Sequence, residues 1–243
     1  ALLDPADRDK RHVTFISGSP RQMRRVLAGK LKLDGVEPDV FILKPNLENL
    51  LRGRFRALRG QVGYKLKALL HSHLGDETEH EYLFGDDAEQ DAFIYSLYAD
   101  ILAGRIPAER MAAILTACKV YRHDVDEIMT LHGRLAGAGD VVRRIFIHLD
   151  RRSPLERFTP YGARVVAIYN YFQAALTLFA DHRIECRGDG LALAHAAVEA
   201  HGALDGQAAA VEEGGHGGRQ RLQLVHDGPG AAREVARRPT PDA

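Results

Sequence analysis

Phe15-Ile16-Ser17-Gly18-Ser19-Pro20 puts a hydroxyl at the end of an apolar run, just before a residue pair suited to a helix start. Unpaired backbone N–H groups and the helix dipole at such a place favour a phosphate oxyanion. As plain structure, Ser17 and Ser19 are turn and cap residues. Gly85-Asp86-Asp87-Ala88-Glu89-Gln90-Asp91 follows a second apolar run and groups Asp86, Asp87 and Asp91. Clustered carboxylates repel one another unless a cation or solvent compensates. Mg²⁺ takes hard oxygen ligands of this kind, commonly one or two protein carboxylates with water and phosphate. A solvated acidic turn with Asp91 near a helix start is the plainer alternative. Tyr64-Lys65-Leu66-Lys67, at the start of a helical stretch, offers a lysine to neutralise phosphate charge. Lysine is ordinarily a surface residue, and Lys67 competes with Lys65 for the role.

These segments need elements to hold them, and the hydrophobic pattern supplies them. Residues 12–17, 39–43, 81–85, 144–149 and 163–168 read as short strands, rich in β-branched and aromatic side chains. Helical spacing marks residues 20–31, 62–70, 93–102, 107–118, 123–135, 171–180 and 191–200. Alternation of the two predicts an α/β, three-layer fold with a mostly parallel sheet flanked by helices. Open sheets of this type place their sites at the C-terminal ends of strands, where Ser17 and Asp86 fall. Residues 1–201 form the expected domain. From residue 202 to 243 aromatics vanish and Gly, Ala and Arg dominate. That composition predicts a disordered tail, either natural or an out-of-frame reading of a GC-rich gene.

Composition removes several classes of function. The 33 basic and 33 acidic side chains leave no net charge, against a nucleic-acid binder working through bulk positive charge. Two cysteines, Cys118 and Cys186, exclude a disulfide framework or a cysteine zinc site. The longest apolar stretch, residues 165–180, is shorter than a membrane span and is interrupted by Asn170 and Gln173. No signal peptide opens the sequence, so a cytoplasmic location is expected. His71, His73 and His80 lie among acids but read as a polar loop. His148 and Asp150 end a strand and face the site or the surface. Arg151, Arg152 and the basic run 52–59 are solvated faces or contacts to an anionic head group. Tyr169, Tyr171, Phe172 and Phe179 are core packing or an apolar groove.

A hydroxyl after one strand, a lysine on a later helix and Gly-Asp-Asp-x-x-x-Asp after the next strand resemble, in that order, three motifs of the haloacid dehalogenase-like phosphatases. More narrowly, Ser17-Gly-Ser-Pro-Arg-Gln-Met23 and Phe84-Gly-Asp-Asp-Ala-Glu-Gln-Asp-Ala-Phe-Ile-Tyr95 resemble the phosphatidate phosphatase catalytic domain of the actin-patch protein type. The resemblance covers roughly residues 12–150. It implies that Ser17, with the Gly18 and Ser19 backbone, binds the phosphoryl group. It implies that Lys65 is catalytic, neutralising phosphoryl and nucleophile. Asp86, with Asp87 or Asp91, would hold Mg²⁺. The substrate would be a phosphorylated small molecule or a lipid head group.

The resemblance also implies an Asp-x-Asp-x-Thr nucleophile motif on a strand before Ser17. Asp4, Asp7 and Asp9 lie there without an apolar strand, and Asp124-Val125-Asp126 sits in a helical pattern after the acidic motif. The expectation is therefore a chain without its nucleophile and inactive as it stands, either a fragment whose first strand lies upstream or a non-catalytic phosphate- or protein-binding relative. A receiver-type phosphoacceptor fits poorly, because its paired acids come at the first strand.

Overall fold

The computed structural model describes residues 11–44, 54–74, 80–181 and 220–225. Six strands form one sheet: β1 (Arg11–Pro20), β2 (Val40–Lys44), β3 (His80–Asp86), β4 (Val142–His148), β5 (Val165–Ile168) and β6 (Gln220–Val225). Their order is β2-β1-β6-β3-β4-β5, and every pairing is parallel. The helices are α1 (Arg24–Leu33), α2 (Arg54–His73), α3 (Asp91–Leu102), α4 (Ala108–Ala117), α5 (Arg122–Leu135) and α6 (Tyr171–Ala180). Parallel strands require crossovers; helices provide them from β1 to β2, β2 to β3 and β3 to β4, and two 3-10 turns, Leu155–Arg157 and Thr159–Tyr161, lie between β4 and β5. The sequence-level expectation of an α/β protein with a helix-flanked parallel sheet is met.

The two sheet faces are covered differently. Ile16, Leu83, Ile145 and Ile147 pack into the main core with Val62, Leu66 and Leu69 of α2, Ile94 and Tyr98 of α3, Met111 of α4 and Ile128 of α5. Each large apolar side chain buried there contributes roughly 1.5–3 kcal/mol by leaving water. On the opposite face Tyr82, Phe84, Phe146 and Ile168 meet Ala174 and Leu178 of α6. Arg24 of α1 lies over the Phe41 ring at 5.0 Å, and Phe41 packs on Phe15 at 4.9 Å. Adjacent positions of a strand point to opposite faces, so α1 joins α6 on the Phe15 side and α2 to α5 take the Ile16 side.

Four departures from the sequence reading matter. First, β1 continues to Pro20, and a 3-10 turn over Arg21–Met23 separates it from α1. Ser19 therefore caps no helix. The cause is local: the Ser17 hydroxyl accepts from Ser19 N–H at 3.1 Å, and the register with β2 shifts between Ser17 and Pro20. Second, α2 starts at Arg54, so Lys65 lies inside the helix rather than at its start. Third, six residues of the stretch expected to be disordered, Gln220–Val225, form strand β6 in the middle of the sheet. Leu222 and Leu224 alternate with Arg221 and Gln223, and Val225 adds a β-branched residue, a strand pattern despite the surrounding composition. The rest of residues 202–243 and the expected helix at 191–200 lie outside the described residues. Fourth, no strand other than these six occurs among the described residues, and the position between β1 and β3 belongs to β6.

Candidate functional site

Ladder register places the two loop-bearing strand ends on either side of β6. Phe15 and Phe84 both pair with Leu224, and Ile16 pairs with Val225. Ser17 and Asp86, each two residues beyond those phenylalanines, are therefore level, at the C-terminal edge and on the same face of the sheet. Two strand spacings separate them, roughly 10 Å. Asp86 in turn pairs with His148 of β4. Ser17, Asp86 and His148 thus form one row across the top of the sheet.

Helix α2 links the two strand ends. Tyr64 donates its hydroxyl to the Ser17 carbonyl at 3.1 Å. The next residue, Lys65, is fully buried and reaches the other end: its Nζ is 2.5 Å from Asp91 Oδ1 and 3.0 Å from Glu89 Oε2. Asp91 opens α3, where its charge suits the helix N-terminus, and its second oxygen accepts from the Asp86 N–H at 3.1 Å. Asp91 is thereby the joint between Lys65 and the Asp86 backbone. Gly85 makes this geometry available. A Cβ there would stand 2.5 Å from Asp91 Oδ2, 2.6 Å from Asp91 Cβ and 2.8 Å from the Tyr95 ring, so glycine alone fits.

The three aspartates divide their work. Asp86 accepts from Ala88 N–H at 2.8 Å, which shapes the turn after β3. Asp87 points both oxygens at the loop after β4, accepting from Arg151 N–H and Ser153 N–H at 2.8 Å each. Burial pulls the Asp87 pKa upward, but those N–H groups and the Ser153 hydroxyl outweigh it and hold the carboxyl below its ordinary range. Among the described residues no group of three or more metal-ligating side chains is arranged around one point. Both oxygens of Asp91 and of Asp87 are engaged, and one Asp86 oxygen takes the Ala88 N–H. One carboxylate is a sufficient protein share for Mg²⁺ when water and phosphate complete the shell.

Several candidates separate from the site. Lys67, on another face of α2, pairs with Asp124 at 2.7 Å and Glu127 at 2.9 Å. Asp124 and Asp126 lie in α5, so their Asp-x-Asp spacing belongs to a helix. His71 pairs with Glu127, His73 with Glu81, and His80 accepts from Arg143. The three histidines therefore serve three different partners. Cys118 is partly buried, and burial raises its thiol pKa. A cavity of about 300 Å³ opens beside the acidic turn, lined by Asp86, Asp87, Phe93, Arg157, Phe158 and Tyr161 among others.

Two members of the constellation carried no assigned role in the sequence reading. Tyr64 and Glu89 stand inside the quoted segments, but their partners come from other elements, which spacing cannot reveal. Lys65 did carry a usable signal: it falls between Val62 and Leu66 and Leu69 on the apolar stripe of α2, whereas Lys67 does not. No helix among the described residues is long and apolar enough to cross a membrane. Comparison with known protein families, with curated proteins and with solved structures gives no match to this chain.

Proposed function

We propose that the C-terminal edge of the sheet is a phosphate site of the haloacid dehalogenase-like type, built to receive a phosphate monoester with Mg²⁺. The observation that carries this reading is the buried Lys65–Asp91 pair, which brings the lysine motif to the acidic motif while Tyr64 ties the same helix to Ser17. Three segments far apart in sequence lie along one edge of the sheet, and that juxtaposition supports the reading.

In this reading the Ser17 hydroxyl and the backbone around Gly18 and Ser19 bind phosphoryl oxygens. Lys65 offsets the charge of Asp91 and Glu89 where screening by water is weak, and so lowers the negative potential that a phosphate would meet. Asp91 positions that lysine and, through the Asp86 N–H, the turn that presents Asp86. Asp87 fixes the Arg151–Ser153 loop over the site. Asp86 would hold the Mg²⁺, whose contribution is to neutralise charge on the phosphoryl oxygens. Hydrolysis needs a nucleophilic carboxylate beyond these residues, and the sequence has no Asp-x-Asp-x-Thr. In this reading these residues bind a phosphate ester rather than turning it over, either as part of a phosphatase or as a phosphate-binding relative of one.

The test is equilibrium binding of inorganic phosphate by calorimetry with and without Mg²⁺. Binding that strengthens with Mg²⁺ and weakens at least tenfold in Ser17→Ala and Asp86→Asn is expected. A chain that binds no phosphate, or binds it equally well after both substitutions, overturns the proposal. Turnover of a generic ester, lost in Asp86→Asn, would show that a nucleophile is present after all.

A further inference from the structure

At the rim of the proposed site the protein holds two aromatic rings in a fixed, face-to-face arrangement. The His148 and Tyr171 rings are 5.5 Å apart and 9° from parallel. His148 is the ladder partner of Asp86, and the two point to the same side of the sheet. Tyr171 also leans on Phe84, two residues before Asp86, at 6.4 Å.

This pair is supported by hydrogen bonds although it is not core. Tyr171 is 59 % exposed, and its neighbours Tyr169 and Phe172 are also exposed. Three hydrogen bonds nevertheless fix the backbone beneath it. Asn170 accepts from Gln173 N–H at 3.1 Å, and Gln173 accepts from Tyr169 N–H at 2.6 Å. The first bond caps the start of α6, and the second ties the residue before the cap back to the first turn. His148 Nε2 lies 3.1 Å from the Tyr169 carbonyl. A carbonyl only accepts, so Nε2–H donates and the imidazole plane is set.

Exposed apolar rings gain little stability from being held. Holding them lowers the entropy lost when a ligand arrives, and an aromatic face recognises another flat ring. Resting on the phosphate reading of the site, we propose that the His148–Tyr171 pair is a stacking shelf for the leaving group, and that the substrate is a phosphate ester of a flat aromatic or heteroaromatic alcohol. The phosphoryl group lies in the row between Ser17 and Asp86, and the ring extends from it over Tyr171.

Binding of four probes with Mg²⁺ tests this: inorganic phosphate, phenyl phosphate, glycerol phosphate and octyl phosphate. The wild-type chain is expected to bind phenyl phosphate about fivefold or more tightly than glycerol phosphate, the size of one added aromatic contact. It is also expected to prefer phenyl over octyl phosphate. Tyr171→Ala should bring the phenyl-to-glycerol ratio close to one, while Tyr171→Phe keeps it. Failure of inorganic phosphate to bind removes the site reading and the shelf with it. If inorganic phosphate binds but wild type shows no phenyl preference, the shelf alone is overturned. Equal or tighter binding of octyl phosphate also overturns it, in favour of a general apolar surface. A ratio unchanged by Tyr171→Ala assigns the preference to another place and has the same result.

Discussion

Lys65 Nζ stands 2.5 Å from Asp91 Oδ1 with neither side chain exposed to solvent. Two opposite charges out of water must neutralise each other, because either one left alone is far costlier than the pair. The pair also couples α2 to α3, so it positions the site as well as balancing it.

Removing one partner should therefore cost more than removing both. Lys65→Met alone is expected to destabilise the fold by about 3–5 kcal/mol, because a buried carboxylate is left behind. Lys65→Met with Asp91→Leu should lose less than the sum of the single changes. Urea unfolding of the two single variants and the double variant measures the coupling directly.

Gly85→Ala should act on the same joint without adding or removing a charge. Its new methyl group meets Oδ2 and Cβ of Asp91, a side chain held by Lys65 and the Asp86 N–H, and the Tyr95 ring. A loss of about 1–3 kcal/mol is expected. Weaker phosphate binding should accompany it, since Asp91 carries Lys65 and the Asp86 N–H. Calorimetry beside urea unfolding reads both effects, and unchanged stability would contradict the geometry.

Asp87 gives a pH dependence of definite sign. Its folded-state pKa lies below the ordinary 3.8, so the unfolded chain takes up its proton first as pH falls. The stabilisation is fully present above the ordinary value and is lost as pH drops through the lowered one. Asp87→Asn should cost about 1–3 kcal/mol near neutrality. The gap between variant and wild type should close below about pH 4. Denaturant titrations at neutral pH and in acid compare them.

Lys67→Ala serves as the contrast to Lys65. Its partners are Asp124 and Glu127, and all three reach solvent to some degree. A loss of about 1 kcal/mol or less is expected, as for other ion pairs in contact with water. Phosphate affinity should stay within twofold of wild type. A large loss of binding would return Lys67 to the site.

Strand β6 can be tested through its backbone. A central strand donates hydrogen bonds on both sides, so proline within it breaks the ladder. Leu222→Pro should cost at least about 3 kcal/mol, whereas the same change in a disordered tail would cost nothing. Thermal unfolding separates the two.

The strands, the helices and the strand-end position of Ser17 and Asp86 were legible because hydrophobic periodicity is local. Ser19 misled because Ser-Pro is a good helix start in isolation, and only the Ser17 hydroxyl bond to Ser19 N–H diverts the chain. Asp87 read as a metal ligand because its partners, Arg151 and Ser153, come from a loop far along the chain. Strand β6 was hidden by the composition around it, since a six-residue segment carries little weight against its flanks. The Lys65–Asp91 contact lay between: the apolar stripe of α2 points Lys65 inward, but nothing local names what it meets there.

The position of β6 has a consequence for synthesis. It lies between β1 and β3 yet comes from residues 220–225, so its partners leave the ribosome long before it does. Until those last residues emerge, β1 and β3 each present an unpaired edge, and the nascent chain holds two half-sheets open to other chains. Chaperone occupancy on stalled nascent chains should remain high until β6 is released and fall once it closes the sheet.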